Sequence, residues 1–138
     1  MAMRLRRTFP LALMLCAACA SAPGPGDVGY AFNVRGSYAG RFTVGDQRFG
    51  ATLRLRIAPG GRVDGTFRVV SPVEIDGVIR GYVLDDLLRL TVTYRNTDGC
   101  DGRIEGILDI ERGGATIEGP ITVSDCGDPI AGRMSFRR

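Results

Sequence analysis

The sequence predicts an all-β domain, an eight-stranded antiparallel up-and-down β-barrel, with a two-sheet β-sandwich as the alternative. Three observations carry this. From Gly36 onward apolar residues recur at every second position, the period of a strand. Eight such stretches are separated by short connections rich in Gly, Asp and Pro, and eight strands suit a small closed barrel. Finally, glycines such as Gly40, Gly65, Gly81, Gly106 and Gly132 share parity with Phe42, Phe67, Ile79, Leu108 and Met134. Glycine on the inward face, where a large side chain would otherwise sit, points to a sheet that curls tightly.

Residues 1–18 read as a lipoprotein signal peptide. Arg4, Arg6 and Arg7 form a basic start, and the apolar run from Leu11 to Ala18 is too short to span a bilayer. Cys16-Ala17-Ala18-Cys19 resembles a bacterial lipobox, with Cys16 standing where leucine is usual. Cys19 is the expected lipidation site, giving a membrane anchor. Ordinary secretion with cleavage near Ala20-Ser21-Ala22 is the alternative, disfavoured by Pro23 directly after it. Arg6-Arg7 also partly resembles a twin-arginine signal, but the flanking residues favour the general route. Residues 19–34 contain Ala22-Pro23-Gly24-Pro25-Gly26 and read as a flexible Pro/Gly tether with little to bury.

Residues 35–138 are the barrel domain, about 105 residues and large enough for a modest core. The strands expected are Ser37 to Val44, Arg48 to Ala58, Arg62 to Val70, Val73 to Leu84, Leu87 to Arg95, Gly102 to Glu111, Ala115 to Ser124 and Ile130 to Arg137. Each alternates apolar and polar positions; the second places Phe49, Ala51, Leu53, Leu55 and Ile57 inward with Thr52, Arg54 and Arg56 outward. Pro59-Gly60-Gly61, Asp85-Asp86 and Arg112-Gly113-Gly114 supply turns. No segment carries a 3.6-residue apolar stripe, so essentially no helix is expected. The last strand is expected to turn Ile130, Met134 and Phe136 inward. A charged outward face suits water and excludes a membrane-embedded barrel, whose exterior is apolar.

In a meander, the connections after the first, third, fifth and seventh strands share one rim. Cys100 and Cys126 fall in two of these connections. An even pair in an exported, oxidising compartment predicts a disulfide bracing that rim. Asn96, Asp98, Asp101, Asp125 and Asp128 flank the pair. Five oxygen-bearing side chains among Gly99, Gly102 and Gly127 make a candidate site for Ca²⁺, whose ligands are hard oxygens, although Asn, Asp and Gly are also ordinary turn formers. No other cofactor is expected. The opposite rim carries both termini, so the anchor leaves from the closed-looking end and the disulfide rim faces away from the membrane.

The chain has 18 basic and 15 acidic residues; without Arg4, Arg6 and Arg7 the two signs balance at 15. The basic excess therefore belongs to the signal and gives no ground for nucleic-acid binding. There is no histidine, lysine or tryptophan, and with the cysteines committed the usual catalytic bases and nucleophiles are missing. Asp85-Asp86 reads as a solvated turn rather than a catalytic dyad. No enzymatic activity is expected.

Gly36-Ser37-Tyr38-Ala39-Gly40, Val63-Asp64-Gly65-Thr66-Phe67 and the repeated apolar-Gly-apolar strands resemble the small bacterial barrel lipoproteins of avidin-like or lipocalin-like build. The resemblance implies a binding module of the bacterial cell envelope. Avidin's biotin pocket depends on tryptophans that this chain lacks, so biotin binding is not implied. The expected partner is an unidentified envelope protein reached through the outward rim; the alternative is a small apolar ligand carried inside the barrel.

Overall fold

The computed structural model describes residues 20–138; the expected signal peptide, residues 1–18, and the expected lipidation site Cys19 lie outside the described residues. Eight strands follow one another as β1 (Gly36–Val44), β2 (Gln47–Ile57), β3 (Arg62–Ser71), β4 (Ile75–Leu84), β5 (Leu87–Arg95), β6 (Asp101–Glu111), β7 (Thr116–Asp125) and β8 (Ile130–Arg137). Each pairs antiparallel with its sequence neighbour, and β8 returns to β1 to close the barrel. The closing seam runs from Ala39 opposite Arg137 to Val44 opposite Gly132. A sheet closed on itself rules out the two-sheet sandwich. Helical structure among the described residues is limited to a 3-10 turn, Arg112–Gly114. β4 starts two residues later than expected, because Pro72 has no N–H to offer a ladder and residues 72–74 form the connection instead.

The alternation read from the sequence is the alternation of burial. Leu53, Leu55, Ile79, Leu88, Leu108 and Phe136 are among the side chains almost wholly withdrawn from water. Each contributes about 1.5–3 kcal/mol relative to an exposed position. Tyr38, Phe67 and Phe136 are the largest of the fully buried side chains, so the interior is packed through its middle. Ile130 departs from the expectation, with 52% of its surface exposed. It stands beyond the last β1–β8 pair and is held by β7 alone, opposite Val123. With no β1 backbone alongside, its inward-pointing side chain meets the open end rather than a wall.

Residues 20–34 are not a free tether. Gly60 N–H donates to Pro25 O at 3.0 Å, and the Tyr30 hydroxyl donates to Asp85 O at 2.9 Å. Val34 is fully buried, with Tyr30 and Phe32 packed against the same core. Arg138 Nη1 donates back to Asn33 O at 3.1 Å and Arg35 O at 2.7 Å. The segment thus lies across the β2–β3, β4–β5 and β6–β7 connections and stops the closed end of the barrel. Its composition around Pro23–Gly26 argued for a tether, but Tyr30, Phe32 and Val34 already have the two-residue spacing and parity of the inward face of β1.

The inward glycines are the reason the strands can approach so closely. A Cβ on Gly65 would stand 2.0 Å from Arg54 O, and one on Gly81 2.0 Å from Arg89 O. At the seam, a Cβ on Gly40 would stand 2.1 Å from Ser135 O, and one on Gly132 2.0 Å from Thr43 O. Neighbouring backbone, not a movable side chain, fills the space. Gly65→Ala is therefore expected to lower stability by about 2 kcal/mol or more, the upper part of the overpacking range. Gly127→Ala, whose Cβ would meet nothing closer than 4.0 Å, is expected to be neutral. Urea unfolding of the two variants checks the contrast; equal midpoints would show that the curl does not need the missing side chain.

Candidate functional site

The β1–β2, β3–β4, β5–β6 and β7–β8 connections gather at the end opposite the N-terminal stopper, as the meander requires. Cys100 and Cys126 meet there at disulfide distance, with α-carbons 5.7 Å apart. Asn96 organises the junction. Its side-chain oxygen accepts from Cys100 N–H at 3.1 Å, while its amide donates to Asp125 Oδ1 at 2.9 Å and lies 2.8 Å from Cys126 Sγ. Asn96 N–H donates to Cys100 O at 2.9 Å, closing the β5–β6 loop.

The five-oxygen cation cluster is not assembled. Asn96 and Asp125 come together, but they are hydrogen-bonded to each other, and the Asn96 oxygen is occupied by Cys100. Asp101 turns outward to Arg95 at 3.5 Å. Among the described residues Asp98 joins no group of metal-ligating side chains. Asp128 stands at the lip of the mouth, also outside any such group. Among the described residues the group close enough to share an ion is Cys100, Asp125 and Cys126, and two of its three atoms belong to the sulfur pair. Turn chemistry accounts for these residues: Gly99 and Cys126 have positive φ, which short Asn/Asp/Gly loops accommodate.

What the rim does build is a cavity. Inside the mouth lies a recess of about 190 Å³, walled by Phe49, Val69, Ile75, Tyr94 and Ile130 and floored by Phe42. Phe42 and Phe49 stack with ring centroids 4.9 Å apart, and Phe67 closes on Phe42 from below at 5.7 Å. Gln47, Asp125 and Asp128 stand at its edge. The wall at Tyr94 depends on Gly102: a Cβ there would stand 2.1 Å from the Tyr94 ring, so the ring lies over β6 because that position has no side chain. Burial, and then the negative charge of Asp125, push the Tyr94 hydroxyl up to about 12. The site is apolar within and acidic at its lip.

Phe49 and Ile130 are expected inward from the sequence, and Ile75 and Tyr94 share the alternation of their strands, but that alternation does not mark them as a site. Their position in the outermost inward layer of their strands was the available signal. Asp85, expected as a turn, is one: its φ is 53° and its carbonyl receives the Tyr30 hydroxyl. No protein family, no curated protein and no solved structure matches the chain.

Joining Cys100 to Cys126, 26 residues apart in sequence, contributes roughly 3–4 kcal/mol in the chain-entropy description. The double variant Cys100→Ala/Cys126→Ala is expected to unfold at correspondingly lower urea, and reductant is expected to shift the wild type but not the variant. Tyr94 predicts a pH dependence. Its folded pKa, about 12, exceeds the unfolded value of about 10. The stability it contributes is complete below pH ~10 and is lost as pH rises through ~12. Tyr94→Phe is expected to flatten that part of the alkaline denaturation profile; an unchanged profile would remove Tyr94 from it.

Proposed function

We propose that the protein is a lipid-anchored binding module of the bacterial cell envelope, and that its open mouth receives an apolar group carrying or adjoining a positive charge. The observation that carries this reading is the mouth recess, apolar inside and lined at the lip by Asp125 and Asp128. A volume of about 190 Å³ is near the size that accepts benzene in an engineered cavity of ~150 Å³. It is smaller than the ~300–1,000 Å³ of drug-sized ligand pockets. One aromatic or branched side chain of a partner protein fits this scale, in the manner of an anchor residue at an interface hot spot.

The packed interior supports the interaction-module reading over a carrier of an apolar ligand within the barrel, because Tyr38, Phe67 and Phe136 fill the volume such a ligand would need. Catalysis has no part in this reading, since the sequence offers neither histidine nor lysine for the usual acid–base and nucleophilic roles. The likeness to avidin-like and lipocalin-like barrel lipoproteins enters only as an analogy of build. With lipid on Cys19, the docked N-terminal segment changes the geometry of display. Pro25 already touches the barrel, so six residues remain, and the closed end stands within about 20 Å of its anchor. The mouth then faces away from the membrane.

The anchor is tested by metabolic labelling with a fatty acid: label is expected on the wild type and absent from Cys19→Ser. The mouth is tested by nuclear magnetic resonance titration with phenethylammonium and phenylacetate. The cation is expected to shift Ile75 and Ile130 and to bind about tenfold more weakly to the Asp125→Asn/Asp128→Asn variant. Val69→Phe, which fills the recess, is expected to abolish the shifts. Equal binding of phenylacetate, or shifts away from the mouth, would refute the assignment.

A further inference from the structure

The outer wall of the barrel is electrically divided. β8, β1, β2 and β3 together carry eight arginines and one carboxylate, Asp64. β6 and β7 carry six carboxylates and one arginine, Arg103. The balance of the described residues, 15 basic against 15 acidic, conceals this separation, which closure produces by bringing β8 beside β1.

The basic side contains a groove of about 680 Å³. Cross-strand pairing fixes its section. Arg137 lies opposite Ala39, Ala39 opposite Thr52, Thr52 opposite Arg68, and Arg68 opposite Asp76. Two small residues thus lie between two arginines whose backbones are three strand spacings apart, roughly 14 Å. In the adjacent row Ser37 pairs with Arg54 and Arg54 with Thr66. The floor is made of Ser37, Ala39, Thr52 and Thr66, and the cationic groups are Arg54, Arg68, Arg137 and Arg138. Arg138 is held in place by the Asn33 and Arg35 carbonyls and lies 5.8 Å from the Tyr38 ring centroid. Arg68 is 3.8 Å from both Glu74 and Asp76, too long for its hydrogen-bonding capacity to be used. Among the described residues Asp76 is the acidic side chain that lines the groove. Arg54 and Arg137 form no ion pair among the described residues.

We infer that this groove binds an extended anionic glycan, a chain of sugar units bearing carboxylate or sulfate groups. Arginine forks match carboxylates and sulfates in geometry, and the Ser and Thr hydroxyls of the floor match sugar hydroxyls as donors and acceptors. A furrow across several strands suits a chain rather than a plane, which separates it from a lipid surface. Single-stranded nucleic acid would require aromatic platforms for its bases, whereas Tyr38 and Phe67, the aromatic residues of the groove, are buried on the inward face. This inference is independent of the mouth and its ligand.

Isothermal titration of the full-length protein with a heparin hexasaccharide tests it, with dextran as the neutral chain and phosphatidylglycerol vesicles and polyglutamate as the other anions. Saturable heparin binding that weakens at least tenfold between 50 and 500 mM salt is expected, with no heat from dextran. Arg54→Ala and Arg137→Ala are each expected to weaken it about tenfold. Both residues are exposed, so the fold survives, as circular dichroism would register. Arg103→Ala, on the acidic wall, is expected to leave binding unchanged. No heparin binding, equal loss in Arg103→Ala, stronger binding of polyglutamate, or vesicle binding that falls with Arg54→Ala as heparin binding does would overturn the inference.

Discussion

Closure between β1 and β8 is the constraint on which the structure depends. Eight strands enclose so little volume that inward positions cannot all carry side chains while adjacent backbones remain in hydrogen-bonding range. Glycine resolves the conflict on both sides of the seam: Gly40 approaches Ser135 O and Gly132 approaches Thr43 O. The space released is taken by Phe42, Met134 and Phe136, which share the seam. Backbone pairing and core packing are thus satisfied by alternating residues of the same strands.

A closed barrel has no sheet edges, but it has two ends, and the chain treats them differently. The closed end is stopped by residues 20–34, whose carbonyls accept from Gly60 and Arg138 and whose Val34 completes the core. The other end is left open. There the Cys100–Cys126 junction and Asn96 fix two of the four connections, so a recess lined by aromatic and branched side chains keeps its shape without being filled. Binding at a rigid recess avoids much of the ordering cost that a mobile loop would incur.

The side wall adds a third property that neither end explains. Strand order places the first three strands and the last one together, and those four hold most of the outward arginines. A chain whose described residues hold 15 basic and 15 acidic side chains consequently presents one basic and one acidic flank, and fields of this kind orient charged partners before contact.

The sequence alone determined the strand count, the meander, the inward face and the rim on which Cys100 and Cys126 meet, because period two and the turn residues are local signals that a sheet must obey. Composition misread residues 20–34, since Pro and Gly around Pro25 concealed the alternation of Tyr30, Phe32 and Val34. Loop composition also gathered Asn96, Asp98, Asp101, Asp125 and Asp128 into one site, although each side chain's direction is set by local backbone and by partners such as Arg95 and Cys100. Only the tertiary structure decided that the mouth is a recess, that Ile130 borders it and that the arginines share one flank. Those facts depend on how far each strand extends past its neighbour and on which strands closure makes adjacent, and neither quantity is written in any single segment of the chain.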